Sequence, residues 1–324
     1  MNYTEFVNAV KEKLTQELNG GVRVNVYTTK KNNATERTGL ILETPGVNIS
    51  PTIYLEEFFE LYEKGKQMDW IIEDLVELYE EIRQEKSWDY ERMLSFEGVK
   101  DRIIFRLINT EKNKELLLDV PHKKFLDLSL VFAVLVEADN DGTAVMLIKD
   151  LHMRQWKVTK EQLWNAAKEN TKRLLPAECF GMNFAVYELL SRSTPGEHDR
   201  ENLLRRTWHI HEELELPKKD KMYVLSNKLK NYGAACIAYP YILDMLAGVL
   251  KENFYVLPSS VHEVIIVPES SQIRQSELER MVREINETQV PEEEILSNHA
   301  YFYYAQEGKL QLGKEMCIDR EDNE

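Results

Sequence analysis

Long hydrophobic runs are missing from this chain. Its longest strongly apolar stretch, LSLVFAVLV at 128–136, is far too short to cross a bilayer as a helix, so no membrane span is expected. The first residues, MNYTEFVNAVKEKL, lack the apolar core of a secretory leader and carry Glu5 within an amphipathic pattern. Positive charge is also short. The 41 Lys and Arg are outnumbered by 56 Asp and Glu, a formal net charge of −15. Phosphate contacts need a concentrated cationic surface, so nucleic acid is not the expected partner. Cysteine is scarce. Cys179, Cys236 and Cys317 lie far apart, outside any C-x-x-C pair, and an odd, scattered set suits reduced thiols in a cytoplasm rather than a disulfide framework. Cytoplasmic localisation follows as an expectation.

Several motifs are absent too. Neither G-x-x-x-x-G-K-[ST] nor G-x-G-x-x-G occurs, so no nucleotide cradle and no cofactor is expected. The G-x-S-x-G elbow of many serine hydrolases is missing. DNDG at 139–142 imitates the start of a calcium loop but lacks the bidentate glutamate that closes one, and reads as a hairpin turn.

What the chain does hold is ordinary globular material, 43% hydrophobic and 30% charged residues, enough for two domains or one large unit. Tyr3, Phe6, Val7, Val10, Leu14 and Leu18 recur at helical spacing. Two strands follow, Val22 to Thr29 and Arg37 to Glu43, joined by a polar turn at Asn32-Asn33. Ser50 and Pro51 suit a helix start, with Leu55, Phe58, Phe59 and Tyr62 as its buried stripe and Gly65 as its stop. Ile71, Leu75, Leu78 and Ile82 mark another helix. The run FLDLSLVFAVLVEADNDGTAVMLIKD at 125–150 is the clearest hairpin, its first arm apolar on both faces and therefore an interior strand. Thr159 and Gln162 form a capping box ahead of a helix. Further strands are expected at KMYVLSN, NFYVLP and HEVIIVP, a helix at YPYILDMLAGVL, and a last hairpin at AYFYYAQEGKLQLG.

The fold class is therefore α+β, with mixed or antiparallel sheets packed against helices in two to three small units. The expected divisions are an α-β-β-α-α unit at 1–96, a hairpin-and-helix unit at 97–192, a charged linker or insertion at 193–220, and an α+β unit at 221–324.

The segments SPTIYLEEFFELYEKG, PHKKFLDLSLVF, TKEQLWNAAKENTKRLLP, MYVLSNKLKNYGAACIAY and LPSSVHEVIIVPES resemble a bacterial family of unknown function, domain family 5688, from about Asn2 to Gly313. The resemblance implies a shared fold and no particular reaction.

Chemistry concentrates in two places. In PSSVHE at 258–263, Ser259, Ser260, His262 and Glu263 supply the residue types of a hydrolase: nucleophile, base and acid. A strand would point His262 and Glu263 to opposite faces, however. The plainer reading is a turn whose hydroxyls bond nearby backbone. A hydrolase would need these side chains in one pocket, with an acid such as Asp127 or Glu263 beside the imidazole. In WHIHEE at 208–213, His209 and His211 would share one face of an extended strand, as two metal ligands do, with Glu212 or Glu213 as oxygen donors. His198 and Asp199 precede them, but no third ligand is fixed. His122, His152 and His299 are scattered. Gly233 suits close packing, and Cys236 a small buried hydrophobe.

Two surfaces invite a protein partner. Between Glu56 and Glu91 stand 13 acidic residues against Lys64, Lys66, Arg83 and Lys86, a solvated face or a contact for a basic partner. Tyr301, Phe302, Tyr303 and Tyr304 would bury half their rings and expose half by strand alternation. An exposed row on an edge strand would suit a protein partner, and edge residues covered by a helix are the plainer reading. The expected function is a non-catalytic binding or protein-interaction module acting through the acidic helices at 56–91, the C-terminal aromatic strand or the polar break at 258–263. A small-molecule hydrolase built on the Pro-Ser-Ser-x-His-Glu segment is the alternative.

Overall fold

The computed structural model describes residues 1–18, 21–43, 52–84, 90–138, 143–183, 208–209 and 221–314. The chain divides into two compact units, Met1–Leu94 and Ser95–Glu324.

The first unit opens with helix α1 (Tyr3–Glu17). Asn2 and Glu5 close a capping box over its free amides: Glu5 N–H donates to Asn2 Oδ1 at 2.9 Å, and Asn2 N–H to Glu5 Oε2 at 3.0 Å. Strands β1 (Arg23–Lys30) and β2 (Glu36–Glu43) pair antiparallel across a turn in which Asn33 takes a left-handed φ of 58°. A third strand, β3 (Thr52–Tyr54), lies against β2. This corrects the helix start read at Ser50-Pro51, two residues that lie outside the described ones. Thr-Ile-Tyr is β-favouring, and helix α2 (Glu56–Glu63) begins only after Leu55. Glu56 anchors the junction, accepting from Thr38 N–H at 2.6 Å and Tyr3 OH at 2.9 Å, with Arg37 at 3.6 Å. Helices α3 (Met68–Gln84) and α4 (Tyr90–Met93) follow. Phe6, Val10, Leu14, Leu40, Leu42, Ile53, Leu55, Ile71 and Leu75 close the core, while Glu57, Glu60, Glu63, Asp69, Glu73 and Glu77 face solvent.

The second unit holds two antiparallel sheets. Helix α5 (Phe96–Val99) leads into β4 (Ile103–Asn109), followed by β5 (His122–Phe125), β6 (Leu128–Ala138) and β7 (Thr143–Leu147). β6 takes β4 along one edge and both β5 and β7 along the other. Being interior, it is buried from Leu128 to Leu135, as an apolar run on both faces requires. The turn at 139–142 lies outside the described residues. Helices α6 (Asp150–Trp156) and α7 (Lys160–Leu174) follow. α7 begins on the expected capping box, with Gln162 N–H donating to Thr159 Oγ1 at 3.3 Å and Thr159 N–H to Gln162 Oε1 at 2.9 Å. Its buried Thr171 accepts from Phe105 N–H at 3.1 Å, and Asn170 donates to the Ile103 carbonyl at 3.1 Å, which locks helix to sheet.

The larger sheet comprises β8 (Ala177–Gly181), β9 (Trp208–His209), β10 (Tyr223–Asn227), β11 (Phe254–Leu257), β12 (Val264–Pro268), β13 (Tyr301–Tyr304) and β14 (Lys309–Leu312), in the order β14-β13-β11-β12-β10-β8-β9. β8 pairs with β10, so the segments read as separate units, 97–192 and 221–324, share one sheet. Within the stretch read as a charged linker, Trp208 and His209 pair with Cys179 and Glu178. Helices α8 (Ile242–Leu250) and α9 (Gln275–Thr288) complete the unit.

The aromatic strand is not an exposed edge: of the two readings, the helix-covered one holds. β14 caps it, and Tyr301, Phe302 and Tyr303 are buried with Tyr304 half-buried. Both sheet faces are covered: Phe302 and Tyr255 pack with Leu278 and Val282 of α9, and Tyr303 OH donates to Asp244 of α8. Period-two exposure holds only when one face meets water. No helix among the described residues is long and apolar enough to cross a membrane.

Candidate functional site

Three segments meet beside β10. The first is the turn after it. Asn227 Oδ1 accepts from the amides of Leu229 and Asn231, its Nδ2 donates to the Asn231 carbonyl, and Lys230 and Tyr232 take left-handed φ of 52° and 55°. The second is the polar break 258–263. The third is 291–297, laid alongside the break by backbone hydrogen bonds: Ser297 N–H to the Pro258 carbonyl, Leu296 N–H to Ser259, and Val261 N–H to Glu294, each 2.8 to 2.9 Å. Gly233 lets the first two segments close. A Cβ there would lie 2.1 Å from Ser226 Oγ and 2.4 Å from the His262 carbonyl oxygen. Ser226 Oγ instead donates to that carbonyl at 2.7 Å.

The result is a hollow of about 410 Å³ lined by Lys230, Ser260, His262, Glu263, Gln289, Val290, Pro291 and Glu294. His262 and Glu263 sit in a bend before β12 rather than in a strand, so the opposite-face argument drawn from the sequence does not apply and both reach one space. His262 Nδ1 accepts from Tyr232 N–H at 3.4 Å. With Nδ1 accepting, the neutral ring carries its proton on Nε2, and Nε2 faces Glu294 Oε1 at 3.4 Å. The imidazole stacks on Tyr232, centroids 6.0 Å apart, and the Arg106 guanidinium lies 5.0 Å from that tyrosine ring. Burial raises the Glu263 carboxyl above its ordinary range, and the nearby Glu294 charge adds to this, against the opposing pull of His262 and a hydrogen bond with Ser260.

A serine hydrolase needs its nucleophile in hydrogen-bond reach of the base. Ser260 is 4% exposed and its hydroxyl accepts from His262 N–H at 3.0 Å, the local side-chain-to-backbone bond of a turn. Among the described residues no hydrogen bond joins Ser259 or Ser260 to the imidazole, and both ring nitrogens are engaged elsewhere. The family described as "Family of unknown function (DUF5688)" matches residues 3–305. The chain belongs to that family. No curated protein matches it, and no solved structure does.

This DUF5688 chain therefore brings Ser260, His262 and Glu263 together, as the sequence allowed, and adds Lys230, Gln289 and Glu294, which sequence reasoning missed. Glu294 belongs to a run, PEEE, that reads as solvated surface, and only strand pairing carries it to the ring. Asp127, suggested as the acid near the imidazole, is elsewhere: it accepts from Ser297 Oγ at 2.8 Å and from Tyr301 OH. Of the metal candidates, His209 is described by its backbone in β9 alone and His211 lies outside the described residues, as do His198, Asp199, Glu212 and Glu213. Cys179 and Cys236 are buried free thiols, and burial pushes Cys179 up to about 12 and Cys236 higher still, so neither is a ready nucleophile. Cys317 lies outside the described residues.

Proposed function

We propose that this chain is a non-catalytic binding protein whose partner presents a basic group, an ammonium or guanidinium, to the hollow at His262. One observation carries the reading. Glu263 and Glu294 stand at the same hollow, and among the described residues neither has a lysine or arginine as ion-pair partner. Burying a carboxylate without a cation is costly, and a partner's cation relieves that cost. The C-terminal end of α9, at Gln289, borders the same space and adds the negative end of a helix dipole. The overall charge of −15 and the solvated acids of α2 and α3 favour the same class of partner.

A second reading, a small-molecule hydrolase at Ser259, Ser260, His262 and Glu263, draws support from the convergence of the last three on one hollow and from the carboxylate at the ring. It is weakened by the engaged Ser260 hydroxyl. Thermal denaturation with amines, basic amino acids and short basic peptides separates the two. A ligand at a hundredfold excess over its Kd stabilises by about 2.7 kcal/mol, and this stabilisation is expected to vanish in Glu263→Gln and Glu294→Gln. If no basic compound stabilises the protein, and a fluorophosphonate labels it unless Ser259 or Ser260 is Ala, the binding reading fails and the hydrolase stands.

A further inference from the structure

The hydrogen bonds around His262 have a direction that only one protonation state satisfies. A backbone N–H only donates, so the Tyr232 amide at 3.4 Å from Nδ1 requires that nitrogen to be unprotonated. Adding a proton to the ring sets N–H against N–H, and the contact is lost. The carbonyl side of His262 stays fixed, held by the Ser226 hydroxyl at 2.7 Å, so the change falls on the ring and on the turn that the ring supports. That turn keeps Lys230 and Tyr232 in left-handed backbone, a conformation unfavourable to a non-glycine residue that persists only when surrounding contacts hold it.

The charges facing the imidazole decide where it goes. From the turn come Tyr232 and Lys230, and from β4 comes Arg106, stacked over Tyr232. From the segment before β13 comes Glu294, 3.4 Å from Nε2. From the ring's own loop comes Glu263, which feels the imidazole's charge. An imidazolium loses the Tyr232 amide and is attracted by the two carboxylates, so it leaves Tyr232 and turns further toward Glu294 and Glu263. We propose that His262 is a proton-operated latch on this site. When neutral it braces the 230–233 turn and puts no positive charge beside Glu263 and Glu294, whose charge is then left to a partner's basic group. When protonated it becomes their internal cation, frees the turn and displaces the partner. Histidine is the side chain whose ordinary titration spans mildly acidic to neutral pH. The regulation rests on the binding reading, but the latch itself is testable without any ligand.

The experiment is hydrogen exchange of the ligand-free protein, expressed as protection factors at about pH 7.5 and about pH 5. The Tyr232 amide is expected to lose at least about tenfold of its protection at the lower pH. His262→Asn, whose Oδ1 can keep accepting the amide without titrating, is expected to abolish that step. Nitrogen-15 spectra of the wild-type ring supply a second measurement, with the neutral ring expected as the Nε2–H tautomer. Equal protection at both pH values, a step retained in His262→Asn, or an Nδ1–H tautomer at neutral pH overturns the latch. A latch that behaves as expected in a protein that no amine stabilises removes the binding reading alone.

Discussion

Gly233 joins two walls of the hollow by having no side chain. Its missing Cβ leaves room for the Ser226 hydroxyl and for the His262 carbonyl. One of these neighbours is backbone and cannot rotate away, so Gly233→Ala must part the 230–233 turn from the 258–263 break. The expected loss is about 2 kcal/mol or more, read as a lowered denaturant midpoint with the slope unchanged; a neutral result would mean the two segments are not in contact. Glu263 gives a prediction of opposite sign. Its carboxyl is raised by burial, so the folded chain holds that proton more tightly than the unfolded chain does. Such a group costs nothing below the ordinary carboxylate range and costs progressively more as pH climbs through its folded value. Glu263→Gln is therefore expected to be more stable than the wild type at about pH 8, with the gain gone near pH 4. Melting curves across pH check it, and a gain that does not vary with pH would show that charge is not its cause.

At the scale of elements, what was legible followed from local chemistry. The capping box at Thr159 and Gln162, the apolar spacing of α1 and the unbroken run of β6 each depend on residues within a few positions of one another, and each stands in the structure. Thr159→Ala removes one hydroxyl acceptor from an exposed cap and is expected to cost about 1 kcal/mol. A change in the equilibrium midpoint with no change in the secondary-structure content of the native state is the outcome that fits; no change at all would mean that the Gln162 amide is satisfied otherwise. What was not legible depends on pairing between distant segments. β3 is three residues long and is a strand because β2 lies beside it, and no pattern that short announces itself. The hairpin of β13 and β14 was legible, but half-exposure was expected for Tyr301–Tyr304 because nothing local reveals that α9 and α8 cover the two faces of that sheet. His262 looked like strand because the apolar run after it is one. The bend that frees it is set by the Ser260 hydroxyl and by Glu294, Leu296 and Ser297 on another segment.

Across the whole molecule the same division separates chemistry from its assembly. The residue types of the hollow were visible at 258–263, but its completion by Lys230, Gln289 and Glu294 needed three segments brought to one sheet. The unit that contains it runs from Ser95 to Glu324, because β8 and β10 share that sheet. The first unit has a core of its own, gathered from α1, β1, β2, β3 and α3, and a separate core is the condition for folding as a unit. Phe6 is fully buried there. Phe6→Ala removes a large side chain from a packed interior, a change that costs about 3–5 kcal/mol. Hydrogen exchange read by peptide is then expected to show lost protection over residues 3–79, with β4, β6 and the amides around His262 as protected as in the wild type. If protection falls in both units together, the chain unfolds as one body, and the hollow depends on a core far from it in sequence.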